Sequence, residues 1–314
     1  MSITKAARRR AARWLAATGL LAALPAWSQD AAALAARLAA LRSQLANSAF
    51  QHPLHMESAQ NGDELEGNAY ALIEQPFAVA APALQGADHW CDILMLHLDV
   101  KGCRPTTASP PHLSVAIARK YDQPIANANW IDFSYEPAAS TPGYLLVRMH
   151  AKEGPMSTHN YRIVLEAMPA DAKHTFIHLS FSYGAGFAAR LAMEGYFATF
   201  GRSKVGFSVV GKKADGSPIY VGNVRGLMER NTMRYFLAID AYVDAWPLPA
   251  AAQPEQRLQN WVAGAERYPI QLHEMERDEY LAMKRREMLA ATAKPLPTAP
   301  SPAPAPARAN PGTY

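Results

Sequence analysis

Across residues 112–210 the chain alternates apolar and polar positions with a period of two, segment after segment. In 144–150, Leu145, Val147 and Met149 fall on one phase, and Tyr144, Leu146, Arg148 and His150 on the other. Next, Tyr161, Ile163 and Leu165 oppose Arg162, Val164 and Glu166. The longest run sets Thr175, Ile177, Leu179, Phe181 and Tyr183 against His174, Phe176, His178, Ser180 and Ser182. Leu113, Val115 and Ile117 carry the pattern earlier, as do Ile131, Phe133 and Tyr135, and Val205, Phe207 and Val209 carry it late. Successive side chains of a strand point to opposite faces, so this period predicts strands with one buried and one wet face. Between them stand Glu136-Pro137, Thr141-Pro142-Gly143, Gly154-Pro155 and the stretch 169–173, all turn chemistry. These gaps leave no room for the crossover helix of a parallel pair, so the sheet is predicted antiparallel, covered on one side.

From 222 to 246 the period becomes helical. Met228, Tyr235, Ile239, Tyr242 and Trp246 form a stripe with Ala238, Ala241 and Ala245 beside it, while Arg230, Arg234, Asp240 and Asp244 fall largely off it. Pro247 and Pro249 end the helix. This stripe is the best cover for the apolar face of the sheet. Upstream, the Ala- and Leu-rich stretch 30–47 reads as a helix that packs loosely or frays. Residues 65–73 read as extended, Pro76 as a helix start, and 79–95 as one or two short helices. Downstream, 254–267 and 271–293 read as two polar helices interrupted at Pro269. Early Glu274, Glu276, Asp278 and Glu279 and late Lys284, Arg285 and Arg286 suit the helix dipole, and this run is read first as a solvated face and second as a docking surface for a protein partner. Residues 294–314, rich in proline and alanine, are predicted to form an extended, disordered tail.

The N-terminus changes how the charge is read. Lys5, Arg8, Arg9, Arg10 and Arg13 precede an apolar stretch over 15–26, and Ala26-Trp27-Ser28 places small residues for cleavage before Gln29. Twelve apolar residues are too few for a bilayer, which needs about 20. Residues 1–28 therefore read as a signal peptide, with no following cysteine for a lipid anchor and no good twin-arginine context, and the mature chain, with no transmembrane segment, is expected to be soluble and periplasmic or secreted. The full chain has 31 basic and 27 acidic residues; without the five basic residues of the leader the mature chain has 26 against 27. The overall basicity thus belongs to the leader, and no global basic face remains for nucleic acid. The sequence divides into the leader 1–28, a helix and loop 29–58, the main domain 59–250, a helical extension 251–293 and the tail 294–314.

Cys91 and Cys103, the two cysteines, lack C-x-x-C spacing and further cysteines for a zinc site, and in an oxidising compartment such a pair is expected as a disulfide. Candidate chemistry is otherwise sparse. His174 and His178 would lie about 13 Å apart along one strand, too far for one metal ion. His52 and His55 flank Pro53 without an acidic or cysteine partner at short range. The stretch 180–186 has the wrong order for a nucleophile elbow and reads as a strand bend, and 211–216 reads as a turn, not a phosphate loop. No catalytic constellation, metal site or cofactor motif is read from the chain. Arg148 and Glu166 are expected as a cross-strand ion pair, with a head-group site at Arg148 the alternative.

A strand, a short helical insertion, six antiparallel strands and a long closing helix resemble the START-like helix-grip superfamily, over roughly residues 60–246. The stretch 187–200, which looks helical or like a strongly bent strand, departs from that pattern, and the two helices after Trp246 are additions. The resemblance implies an α+β fold in which a curved antiparallel sheet wraps around its C-terminal helix. It also implies a lipid, sterol or other hydrophobic ligand between the two, against Phe133, Met149, Ile163, Leu179, Phe181, Tyr183, Tyr235, Ile239 and Tyr242. The same side chains packed tightly would make a filled core, and the protein would then be an interaction or scaffold protein. Both readings stand on the sequence.

Overall fold

The computed structural model describes residues 26–106, 109–199 and 201–293. The tail and all but the last three residues of the expected leader lie outside these. In chain order the elements are α1 (Ala26–Ala46), β1 (Leu54–Asn61), β2 (Glu64–Ile73), α2 (Phe77–Ala83), α3 (Ala87–Met95), β3 (Val100–Thr106), β4 (His112–Ile117) and β5 (Asn129–Thr141). They continue with β6 (Tyr144–Glu153), β7 (Thr158–Pro169), β8 (Thr175–Ala185), α4 (Phe187–Ala198), β9 (Val209–Lys212), β10 (Pro218–Tyr220) and α5 (Asn223–Ala245), and end with α6 (Gln253–Glu266), α7 (Pro269–Leu272) and α8 (Arg277–Ala293).

Eight strands form one antiparallel sheet in the order β1-β2-β8-β7-β6-β5-β4-β3. The expected inward phase is the buried one: Leu145, Val147, Met149, Ile163, Leu165, Ile177, Leu179 and Phe181 join a single core with Met228, Ile239 and Tyr242 of α5. The long helix seals that face. It comes so close at β2 that a Cβ on Gly67 would stand 2.2 Å from Oγ1 of Thr232. Only glycine permits this approach, because Thr232 is β-branched and its hydroxyl already bonds the Met228 carbonyl.

The sequence missed β1 and β3. Asn61-Gly62 at the β1–β2 turn, with Gly62 at φ 65°, is a strong hairpin signal. β3 was obscured by Gly102 and Pro105, which an edge strand tolerates.

Several expectations are corrected. The outer face of the sheet is not simply wet, and α1 does not fray: Leu34, Leu41 and Leu45 are buried against Tyr70, Tyr144, Leu146 and Phe176. The outward phase of the central strands is itself part apolar, so it demands a cover of its own. Val205 and Phe207 belong to no strand. Only Val209 enters β9, which pairs with β10 in a separate two-stranded ribbon, while Phe207 packs on Phe50 and Tyr268. Of the stretch 187–200, Phe187–Ala198 forms a helix, α4, and residue 200 lies outside the described residues.

The C-terminal helices are not merely a solvated face. Trp261 stacks on Tyr280 at 4.6 Å, its Nε1 donates to the Arg234 carbonyl at 3.2 Å, and the Tyr280 hydroxyl donates to the Leu96 carbonyl at 2.8 Å. Lys284 is fully buried, with Nζ donating to the Val100 carbonyl at 2.8 Å and to Glu287 at 2.9 Å. These helices form a third layer behind α5, α3 and β3. The expected disulfide is formed, Cys91 to Cys103, with Cα atoms 5.2 Å apart, tying α3 to β3.

Candidate functional site

The register of the sheet brings part of the expected ligand-facing set into one row. Phe181 of β8 pairs with Ile163 of β7, Ile163 with Met149 of β6, and Met149 with Tyr135 of β5. Beyond this row β7 carries an irregularity between His159 and Arg162, and there Tyr161 stacks on Tyr183 with ring centroids 5.1 Å apart. Phe133 meets Tyr161 edge-on at 6.2 Å. From α5, Tyr235 reaches down to Phe181 at 5.1 Å and on its other side stacks on His97 at 4.9 Å. The result is a continuous aromatic run, Phe133–Tyr161–Tyr183–Phe181–Tyr235–His97, between sheet and helix.

Three of the expected residues fall outside both that row and that run. Leu179 and Ile239 are fully enclosed. Tyr242, about 10 Å further along the helix axis, sits against His89 and Trp246 with the Arg257 guanidinium 3.9 Å from its ring centroid. Tyr161, His97 and Asp99 were not singled out by sequence reasoning. Tyr161 carried a period-2 signal but no functional one, and His97-Leu98-Asp99 lies between α3 and β3 without any motif.

The polar tips of this run differ in how they are satisfied. The Tyr161 hydroxyl donates to Thr158 Oγ1 at 2.8 Å. The hydroxyls of Tyr183 and Tyr235 have no hydrogen-bond partner among the described residues. Burial pushes the ionisation of both far up, so each is a neutral hydroxyl able to donate and accept. Tyr235 is also only half-buried, in the middle of a core helix.

The strands that surround the closing helix run β2-β8-β7-β6-β5-β4-β3, the two short helices α2 and α3 lie between the first of these and the second in sequence, and α5 closes the concave face. This is a helix-grip fold, an antiparallel sheet closed by one long helix. β1, α1, α4, the β9–β10 ribbon and the helices after α5 are additions to it. Among solved structures, a conserved protein from Geobacillus kaustophilus is similar at 11% identity and TM-score 0.34, over 57% of this chain and 95% of that one. A START superfamily protein from Mycobacterium smegmatis is similar at 9% identity and TM-score 0.28, over 41% and 76%. The Zhui aromatase/cyclase from a Streptomyces strain is similar at 10% identity and TM-score 0.30, over 68% and 95%. No family model and no curated protein matches the chain.

On the outer, convex side of the sheet the expected Arg148–Glu166 pair is replaced. Arg148 pairs in register with Val164 and lies 3.9 Å from Glu136 and 4.0 Å from Asp30 of α1. Glu166 instead accepts from the Tyr144 hydroxyl at 2.6 Å and binds His178 at 2.8 Å, because they flank it on β6 and β8. Arg148 points away from the sheet–helix layer, which removes it as a head-group ligand there. His174 and His178 each have a separate carboxylate partner, Asp171 and Glu166. Among the described residues no group of three or more His, Cys, Asp or Glu side chains could hold a metal ion, and no helix is long and apolar enough to cross a membrane.

Another flank of α5 carries an acidic crevice. Asp240 is pushed up to about 6 by burial, with Glu74 adding to the effect and Arg267 opposing it; Asp244 is pushed up to about 6 by burial, Asp240 and Glu74. A carboxyl whose folded value is raised binds its proton more tightly when folded, so its stabilising share is complete below about pH 4 and is lost as pH rises toward 6. Asp240→Asn is therefore expected to stabilise the protein by about 1–2 kcal/mol near pH 7.5 and by almost nothing near pH 4. Urea unfolding at the two pH values measures this, and an equal effect at both would refute it.

Proposed function

We propose that this START-like protein is exported and that it carries or senses a hydrophobic small molecule or lipid held between the sheet and α5. The observation that carries the reading is the aromatic run, in which the hydroxyls of Tyr183 and Tyr235 and the buried Nε2 of His97 have no partner among the described residues. Polar groups within a core are normally paired, so these tips are available to something that enters. The apolar walls contributed by Phe133, Met149, Ile163 and Phe181 supply affinity without direction, and the hydroxyls supply orientation. Cleavage before Gln29 would remove only the first three residues of α1 and leave Leu34, Leu41 and Leu45 in place on the sheet.

Native mass spectrometry of the purified full chain, followed by solvent extraction, tests the carrier reading. A co-purifying hydrophobe, or stoichiometric uptake of added naphthalene, is the expected result, and Ile163→Trp should abolish either by filling the layer. A protein that holds no hydrophobe and takes up none would sink the reading in favour of a filled core acting as an interaction scaffold. N-terminal sequencing of the protein recovered outside the cytoplasm tests export; the expected first residue is Gln29.

A further inference from the structure

Where the loop after α1, the start of β1, the β9–β10 ribbon and the α6–α7 connection meet, they leave a cleft of about 420 Å³. Three aromatic rings line it and brace one another. Phe50 and Phe207 lie 5.6 Å apart, and Tyr268 meets them edge-on at 6.1 Å and 5.4 Å. Glu229 fixes Phe207 in place by accepting from the backbone N–H groups of Phe207 at 2.6 Å and Ser208 at 2.8 Å. Tyr220 of β10 adds a fourth ring. Val209 and Ile270 belong to the same lining and are 57% and 66% exposed, so the described residues leave apolar surface uncovered here. Arg267 lines the cleft too. Its side chain has no hydrogen bond or ion pair among the described residues, its buried Nε included.

We infer that this cleft is the docking site of the chain's own proline-rich segment, residues 294–314. Seven of those 21 residues are proline. Such a segment favours the polyproline II helix, which lies against aromatic-lined grooves and loses little freedom on binding because it is already extended. Each proline lacks an N–H, so the segment brings mostly carbonyl acceptors and needs donors from its site. The Arg267 guanidinium supplies donors that no other described residue uses. The reach is sufficient. Gln271 lines the cleft and Arg277 begins α8, whose 17 residues span about 25 Å, so residue 293 stands no more than about 45 Å away. Twenty-one residues in polyproline II span about 65 Å. A segment tethered on this scale acts at a millimolar effective concentration, so even a weak groove is filled by its own chain. The inference does not depend on what the sheet and α5 hold between them.

Distance measurement between two spin labels on the full chain tests this, with Ala303→Cys and Lys212→Cys as the label sites. The native cysteines are joined to each other, so only the introduced ones take label. Lys212 is exposed at the end of β9, three residues from Val209 in the cleft wall. One narrow distance population is expected. Val209→Asp with Ile270→Asp, at two exposed positions, should turn it into a broad distribution. So should Pro300→Gly, Pro302→Gly, Pro304→Gly and Pro306→Gly together, changes confined to the segment itself. A broad distribution before either set of substitutions is added overturns the inference, whether or not those variants fold. A narrow population that survives both sets overturns it too, because the segment would then be held elsewhere. A narrow distance seen only when singly labelled chains are mixed gives the cleft to a second copy, and likewise overturns it.

Discussion

Replacing Glu274 by alanine is expected to cost about 3–5 kcal/mol of folding stability, the scale for leaving buried charge without its partner. One carboxylate here serves three cations: Oε1 accepts from Arg230 and from Arg234, the latter at 2.9 Å, and Oε2 accepts from Lys204. The side chains of Arg230 and Arg234 are only 3% and 4% exposed, so water cannot replace the lost charge. Glu274 sits between α7 and α8, and the cluster is what holds that connection against α5. Burial alone would raise the ionisation of Glu274, but Arg234, Lys204 and Arg230 together hold it below the ordinary carboxylate range. A carboxyl lowered on folding contributes at neutral pH and loses its contribution as pH falls through its folded value, so wild type and variant should converge in acid. Urea denaturation at neutral and acidic pH measures both points. Glu255→Ala, which breaks an exposed pair with Arg285, is the control and should leave the midpoint unchanged. A Glu274→Ala midpoint equal to that control would refute the account.

Removing the disulfide, as Cys91→Ala with Cys103→Ala, is expected to cost about 3 kcal/mol, the entropy of a short closed loop in the unfolded chain. The two cysteines are 12 residues apart in sequence, and the loop they close holds the end of α3 together with His97 and Asp99. Cys91 is 5% exposed and belongs to the core, so part of the loss comes from thinning the packing between α3 and β3. Chemical denaturation of the double variant, beside wild type with and without reductant, separates the two contributions: reduced wild type shows the loss of the cross-link alone. A double variant as stable as oxidised wild type would show that the constraint matters little.

Much of the architecture could be read from local pattern, because a strand's period of two is written in consecutive residues. The inward phase over 144–183 was legible in Leu145, Val147, Met149, Ile163, Leu165, Ile177, Leu179 and Phe181, and so was the helix α5, expected over 222–246 and found over Asn223–Ala245. Proline and glycine marked most turns correctly. The errors share a cause. α1, α6 and α8 were judged from their own polarity, yet what buries Leu41, Trp261 or Lys284 is the shape and chemistry of a surface formed by residues far away in sequence. Glu166 was assigned to Arg148 because both lay on the outward phase, but Tyr144 and His178 lay on that phase too, and only the register decides among them.

By itself the chain determined the antiparallel sheet, the helix that closes it, the disulfide pair and the apolar walls of the candidate site, since each depends on residue spacing over a few positions. Tertiary structure alone decided which of those walls adjoin, that α1 and the last helices are built into the domain, and that His97 comes to stack on Tyr235, 138 residues later in the sequence. The reason is physical: periodicity reports which side of an element meets apolar surroundings, whereas the pairing of buried polar groups depends on distances that exist only once the layers have packed.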